Sequence, residues 1–331
     1  MELLRRLARS RAVRAVVSVG LLAAVATQID FGAIRERLSG GSWWLFALAV
    51  VVLFASFLLG AVRWHLFLRA ARVDTTRRRA VDAYLIGTFT TNFLPTQFGG
   101  DVTRAVVAAG RGTRVRSAAT VLLDRASALA CMLVVGWILV AANPTPVPGQ
   151  LIAALAAATG AFSAACALFL VLLRGRRLSR FVPVRLRAAG AEAREALVLC
   201  LNRSVLARTF AIGLVFQGLV YLAAWLVARS ISLGVPLSVL GASLAPVLIV
   251  VAAPVSIGGF GVREGGYVLL LGYAGVTASD ATLFSLLTAA VFALASLPGA
   301  LVLLRTGSPQ KNAEDVTVAD PAAPTDPSRA S

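Results

Sequence analysis

Charged residues inside apolar runs are the first candidates for chemistry in this chain, because a hydrophobic segment has no ordinary use for them. Two arginines recur in one pattern. "PTQFGGDVTR" at 95–104 and "PVSIGGFGVRE" at 254–264 each place an apolar residue three positions after a proline, a glycine pair at four and five, and an arginine at nine. Gly99 and Gly100 in the first, and Gly258, Gly259 and Gly261 in the second, let the backbone approach a ligand. Asp101 can cap the helix that restarts after the break, and Arg104 lies about one turn inside it. Arg263 and Glu264 follow the second glycine group in the same way. Helix N-terminal amides favour phosphate and arginine binds it through two parallel bonds, so an anionic headgroup fits both places. The competing reading makes the arginines interfacial anchors and the glycines contact points between helices.

A third place is "LLDRAS", where Asp124 and Arg125 sit some two turns inside an apolar run that begins near residue 118. Intramembrane charges are costly and mark a functional site or a buried pair. Neighbours on a helix do not face each other, so the two residues address different partners. Arg125 can snorkel outwards; Asp124 is expected to pair with Arg104 or Arg263, or to titrate.

These residues must be positioned by a membrane-embedded scaffold. The chain has 331 residues, 58% hydrophobic and 14% charged, with mean hydropathy +0.83, far more apolar surface than one soluble core can bury. The formal net charge of +17 does not point to nucleic acid, because the basic clusters flank apolar runs and no aromatic residues interleave with them. Cys131, Cys166 and Cys200 form no CxxC and no cluster with the single histidine, His65, so they read as small buried hydrophobes and no metal site or cofactor is expected. No GxxxxGK[ST] loop is present, which argues against direct use of ATP.

Runs of about 17–25 apolar residues predict six spans, near 13–29, 43–67, 118–142, 151–173, 207–229 and 281–304. Two shorter apolar pairs, near 80–94 with 101–109 and 236–253 with 262–275, are broken by the Pro/Gly clusters and read as re-entrant hairpins. Arginines orient the chain: five in residues 1–14, six in 63–82, four in 101–116 and nine in 174–208 mark the cytoplasmic side, while "NPTPVPGQ" at 143–150 has none. Three predicted spans separate the two hairpins, and an odd number inverts the second. The fold class is therefore an all-α polytopic membrane protein, with about six full spans plus two oppositely oriented re-entrant helical hairpins. Paired broken segments of opposite orientation are the pattern of a transporter built from inverted repeats. Residues 1–305 form the transmembrane domain, and the Ala-, Pro-, Asp- and Ser-rich 306–331 a disordered cytoplasmic tail. The segment 174–205 reads either as a basic amphipathic helix on the cytoplasmic leaflet or as a solvated loop. The basic N-terminus, with "AVA" at Ala24–Ala26, imitates a signal peptide, and a retained first span agrees better with the later orientation.

"NFLPTQFGGDVTRA", "AATVLLDRASAL" and "PVSIGGFGVREGGYVLLL" together resemble the motifs of the flippase-like membrane-domain family typified by the N-terminal region of lysylphosphatidylglycerol synthases, over roughly residues 15–304. The resemblance implies lipid handling in a bacterial cytoplasmic membrane, with both termini cytoplasmic. It carries Gly99, Gly100, Asp101, Arg104, Asp124, Arg125, Gly258, Gly259, Gly261, Arg263 and Glu264 over as motif residues. The soluble catalytic domain of the full-length synthases has no counterpart up to Ser331, so synthase activity is not expected. The leading expectation is a flippase or lipid-binding transporter whose partners are membrane lipids with phosphate headgroups. The alternatives are a polytopic transferase and an accessory subunit working with lipid-biosynthesis enzymes. A transferase would need acidic residues at the membrane surface. The outer loops offer only Asp30, Glu36 and Asp280, although cytoplasmic Asp101 keeps that reading open.

Overall fold

The computed structural model describes residues 30–92, 99–110, 112–142, 145–174, 184–252 and 261–306. The predicted 13–29 span, Ala24–Ala26, Pro95, Pro254, Gly258, Gly259 and the tail beyond Thr306 lie outside them. The described residues form eleven helices and no strand: α1 Phe31–Ser39, α2 Trp43–Ala70, α3 Arg77–Thr91, α4 Gly99–Ala108, α5 Arg114–Ala142, α6 Gly149–Arg174, α7 Val184–Cys200, α8 Arg203–Ser230, α9 Leu237–Ala252, α10 Val262–Gly272 and α11 Ala278–Thr306. Five of these, α2, α5, α6, α8 and α11, are long and apolar enough to cross a membrane. They correspond to the five predicted spans that fall on described residues. Their outward faces carry large apolar side chains such as Trp44, Leu122, Leu168, Val171, Val215 and Leu301, as a lipid solvent requires.

Two four-helix units share one plan. α2 and α8 have 28 residues each, α3 and α9 have 15 and 16, α4 and α10 have 10 and 11, and α5 and α11 have 29 each. The turn after the first helix is the same in both. Val73 N–H donates to Leu68 O and Leu233 N–H to Ala228 O, each at 2.9 Å, and the residue between, Arg72 or Ser232, takes φ of 59° or 54°. That is a left-handed helix cap, made in both units without glycine. α2 and α8 pack against each other antiparallel. Ser42 N–H at the start of α2 donates to Ser230 O at the end of α8 (2.7 Å), and the Cys200 thiol just before α8 donates to Phe67 O near the end of α2 (3.4 Å). Burial pushes the Cys200 thiol up to about 12, which leaves it a packing group.

The short helices form close pairs. α3 is capped by the Thr76 hydroxyl, which accepts from Arg79 N–H, and the Arg79 guanidinium donates to Val107 O and Ala109 O at the end of α4, both at 2.9 Å. The start of α3 therefore lies beside the end of α4. Farther in, a side chain on Gly100 would fall on the Gly87 carbonyl and the Thr91 hydroxyl, so the two backbones touch there. α11 crosses α3 as closely, Gly299 lying against the Leu85 carbonyl. The helix between the two units, α7, docks on α5 with Ala196, Leu197 and Cys200 buried. The predicted amphipathic segment is thus a helix packed on protein over its described part.

Candidate functional site

In the first unit a buried carboxylate brings together two arginines distant in sequence, each from a different helix. Asp124, ten residues into α5 and so about 15 Å from its start, is 2% exposed. Its Oδ1 accepts from Arg63 Nε (3.0 Å) and Nη2 (2.8 Å) on α2, and its Oδ2 from Arg104 Nη1 (2.8 Å) on α4. Arg104 turns its other side to Asp101, whose Oδ1 accepts from Nε at 3.0 Å. Asp101 in turn pairs with Arg125 Nε. Five residues thus alternate in sign: Arg63, Asp124, Arg104, Asp101, Arg125.

Aromatic rings hold this row in place. The Arg104 guanidinium carbon lies 5.0 Å from the Trp64 ring centroid and 5.1 Å from that of Tyr84, and Trp64 Nε1–H donates to the Thr120 hydroxyl at 3.0 Å. Arg63 lies 4.9 Å over Phe216 of α8. Cation–π contact of a desolvated guanidinium adds to the ion pairs and fixes its plane. Exposure rises along the row: the side chains of Arg63, Asp124 and Arg104 are 0%, 3% and 7% accessible, against 14% for Asp101 and 33% for Arg125. Three guanidiniums face two carboxylates. Arg63 Nη1 is buried without an acceptor among the described residues.

The second unit builds a smaller group around Glu264, 1% exposed in the first turn of α10. Its Oε2 accepts from Gly261 N–H at 2.7 Å, closing the helix N-terminus, where Gly261 takes φ of 82°. Its Oε1 accepts from Arg263 Nη2 (2.6 Å) and from the Ser285 hydroxyl of α11 (3.3 Å), and Arg263 Nε also donates to that hydroxyl (3.1 Å). One carboxylate and one guanidinium balance here. Ser285 lies eleven residues, about 16 Å, before Ser296, the α11 residue whose hydroxyl accepts from Asn92 at the end of α3. The end of α3 and the Glu264 group therefore meet α11 at different levels.

Of the residues singled out in the sequence, Asp101, Arg104, Asp124 and Arg125 converge, Gly100 forms the tight α3–α4 contact, and Gly99 starts α4. Gly261, Arg263 and Glu264 form the second group. Asp124 and Arg125 do address different partners. The proline-to-arginine spacing shared by the two motifs does not carry over into the helices: Arg104 stands four residues before the end of α4 at Ala108, Arg263 nine before the end of α10 at Gly272. Counted from the helix starts, Gly99 and Val262, the equivalent pair is Asp101 and Glu264, the third residue of each.

A family model described as the lysylphosphatidylglycerol synthase TM region matches residues 11–299. The chain belongs to that family. No curated protein and no solved structure matches it. Membership in the lysylphosphatidylglycerol synthase TM region family makes this a lipid-related, multi-pass membrane domain. The match spans both groups described above. It also spans the partners that the sequence reading passed over, Arg63, Trp64, Tyr84 and Ser285. Arg63 was counted only as an orientation charge at the end of an apolar run; its position seven residues before the end of α2 was the available signal that it is a buried partner.

Proposed function

We propose that this family member is a lipid flippase or lipid-binding transporter for a phosphate-bearing lipid, with the headgroup taken at the alternating row of the first unit. The single observation that carries this reading is the arginine-rich row itself, three arginines alternating with two aspartates from the buried Arg63 to the most exposed member, Arg125. Leu122 on α5 and Val102 on α4, 51% and 63% exposed, flank that end. A lipid arriving from the side would place its chains on these apolar residues and its phosphate against Arg125. The headgroup would then compete with Asp101 for that arginine. Arg263 in the second unit forms a further station nearer the other face.

The α3–α4 and α9–α10 pairs are re-entrant hairpins in this reading. α3 at 15 residues and α9 at 16 reach about 22–24 Å, short of the roughly 30 Å hydrocarbon core. Equal helix lengths in the two units and antiparallel α2 and α8 support an inverted repeat, in which the two hairpins open to opposite faces. The arginine-rich end carries both termini in the cytoplasm of a bacterial cell.

The test is lipid co-purification and flipping of a phosphate-headgroup lipid in vesicles, compared between wild type and Arg125→Gln. The variant is expected to keep its melting temperature and to lose bound lipid and flipping by at least tenfold, about the 1.4 kcal/mol of a lost charge-assisted contact. Unchanged flipping by folded Arg125→Gln would remove the row from the transport path.

A further inference from the structure

The equivalence of the two units extends to the surface helices that precede them, and there it has a mechanical consequence. α1 stands before α2 and α7 before α8. The third residue of α11 is Asp280 and the third residue of α5 is Arg116. Each is tied to the surface helix of one end of the bundle. At one end Arg37 of α1 donates from Nε and Nη2 to the two Asp280 oxygens, both at 3.1 Å, and from Nη1 to Ser232 O at 3.2 Å. At the other end Arg116 donates from Nη2 to Glu195 of α7 at 2.8 Å, pairs through Nε with Glu192 at 3.5 Å, and donates from Nη1 to Ala71 O at 3.3 Å.

Each junction is thus one arginine joining a carboxylate to a carbonyl of the turn that follows a 28-residue helix, at or beside the left-handed residue Arg72 or Ser232. The signs are exchanged between the ends: the arginine is on the surface helix at one and on the 29-residue helix at the other. Nothing about helix stability requires Arg116 where it is. A cation in the first turn opposes the helix dipole, whereas Asp280 in the same place agrees with it. Glu192 and Glu195 offset that cost, so the inner position is held by its junction alone.

We propose that these two junctions are the latches of the two ends of the bundle, each holding its own surface helix across the foot of one hairpin unit and releasing it independently of the other. The Arg37 latch closes the end where α8 meets α9 and α11 begins. The Arg116 latch closes the end where α2 meets α3 and α5 begins. Both are engaged in this structure. The purpose of the latches rests on the transport reading above, but their existence does not. An arrangement of paired latches lets one end open while the other stays tied, which a carrier with a site between two faces requires.

The experiment measures helix positions and not lipid. In a chain with Cys131, Cys166 and Cys200 replaced by alanine, spin labels at Gly40→Cys and Tyr273→Cys report one end, and labels at Asp74→Cys and Ala191→Cys report the other. These latch residues are partly exposed, so Arg37→Ala is expected to raise the long-distance population of the first pair roughly two- to fivefold and to leave the second pair unchanged. Arg116→Ala is expected to do the reverse. Should either variant misfold, Arg37→Lys or Arg116→Lys, which keeps the charge and loses the fork, should give the same direction with a smaller amplitude. Opening of both ends by one variant, or of neither by both, would overturn the proposal. End-specific opening together with unchanged flipping by Arg125→Gln would leave the latches standing and count against the headgroup site instead.

Discussion

Asp101 and Glu264 occupy the same place in two helical units of matching length, yet their surroundings differ in kind. Asp101 sits in a row that continues through Arg104 to Asp124 and Arg63 across two further helices. Glu264 closes its own helix N-terminus and pairs with the residue beside it. The positions in the second unit that answer to Arg104 and Asp124, counted from the starts of α10 and α11, hold Tyr267 and Thr288. Tyr267 packs edge-on against Phe284, ring centroids 5.3 Å apart. One fold plan thus carries a charged junction in one copy and an aromatic one in the other. Two units of matching helix lengths fix where side chains meet, and the substitution of a few of them decides whether that meeting point is polar.

The largest test of this contrast removes each carboxylate in turn. Asp124→Asn leaves two buried guanidiniums with no counter-charge between them, and is expected to lower stability by about 3–5 kcal/mol. Glu264→Gln should cost less, about 1–3 kcal/mol, because Arg263 is 18% accessible and can turn to water, while the amide oxygen can still accept from Gly261 N–H. Thermal or chemical unfolding in detergent orders the two variants. A larger loss for Glu264→Gln would mean that the second group bears the greater structural load, and the contrast would have to be inverted.

The helix pairs differ too. Gly100→Ala would drive a methyl group into the Gly87 carbonyl and the Thr91 hydroxyl, both part of the facing arm and neither free to move far. Overpacking of this kind is expected to cost about 1–3 kcal/mol and to part α3 from α4. Because Arg104 is on α4, the Asp124 junction should loosen with it. Reduced stability that restores with a compensating Thr91→Ala would locate the strain between the arms; no loss at all would show that the arms can separate without disturbing the row.

The general architecture was legible because spans announce themselves by length and apolar content, and the five on described residues begin and end within about four residues of the expected positions. The convergence of Asp101, Arg104, Asp124 and Arg125 was legible only as a set of misplaced charges. Which charge meets which depends on helix crossings at Gly100 and Gly299, and contacts of that kind leave no period in the sequence. Arg63 was hidden by the orientation rule itself: an arginine near a cytoplasmic span end satisfies the positive-inside bias whether it faces water or Asp124. The shared spacing of the two Pro/Gly motifs runs through prolines outside the described residues, and within the described helices Asp101 and Glu264, not Arg104 and Arg263, stand third from the start. The structural equivalence pairs Asp101 with Glu264 because helix starts, not motif spacing, set the phase of side chains around each axis. The Arg37 and Arg116 junctions were unreadable, since their carboxylate partners lie as far as 243 and 79 residues away in the chain.

The smallest expected effect sharpens the comparison of the two short helices. Gly265 is the fourth residue of α10, within the helix, and a side chain built there meets nothing within 4 Å among the described residues, whereas one on its neighbour Gly266 would touch the Val247 methyls at 3.3 Å. Glycine in a helix interior is less favourable than alanine by roughly 1 kcal/mol, chiefly because the unfolded chain has more freedom to lose. Gly265→Ala is therefore expected to stabilise the protein by about 0.4–1 kcal/mol, opposite in sign to Gly100→Ala in the matching helix. If the open face beside Gly265 has no use, bound lipid and flipping stay as in the wild type. If stability rises while flipping falls, the space is occupied during transport, and the second unit supplies room for the ligand where the first supplies charge. A fall in stability would show that α10 packs more tightly against its surroundings than the space at Gly265 indicates, and the contrast between a close first pair and an open second would fail.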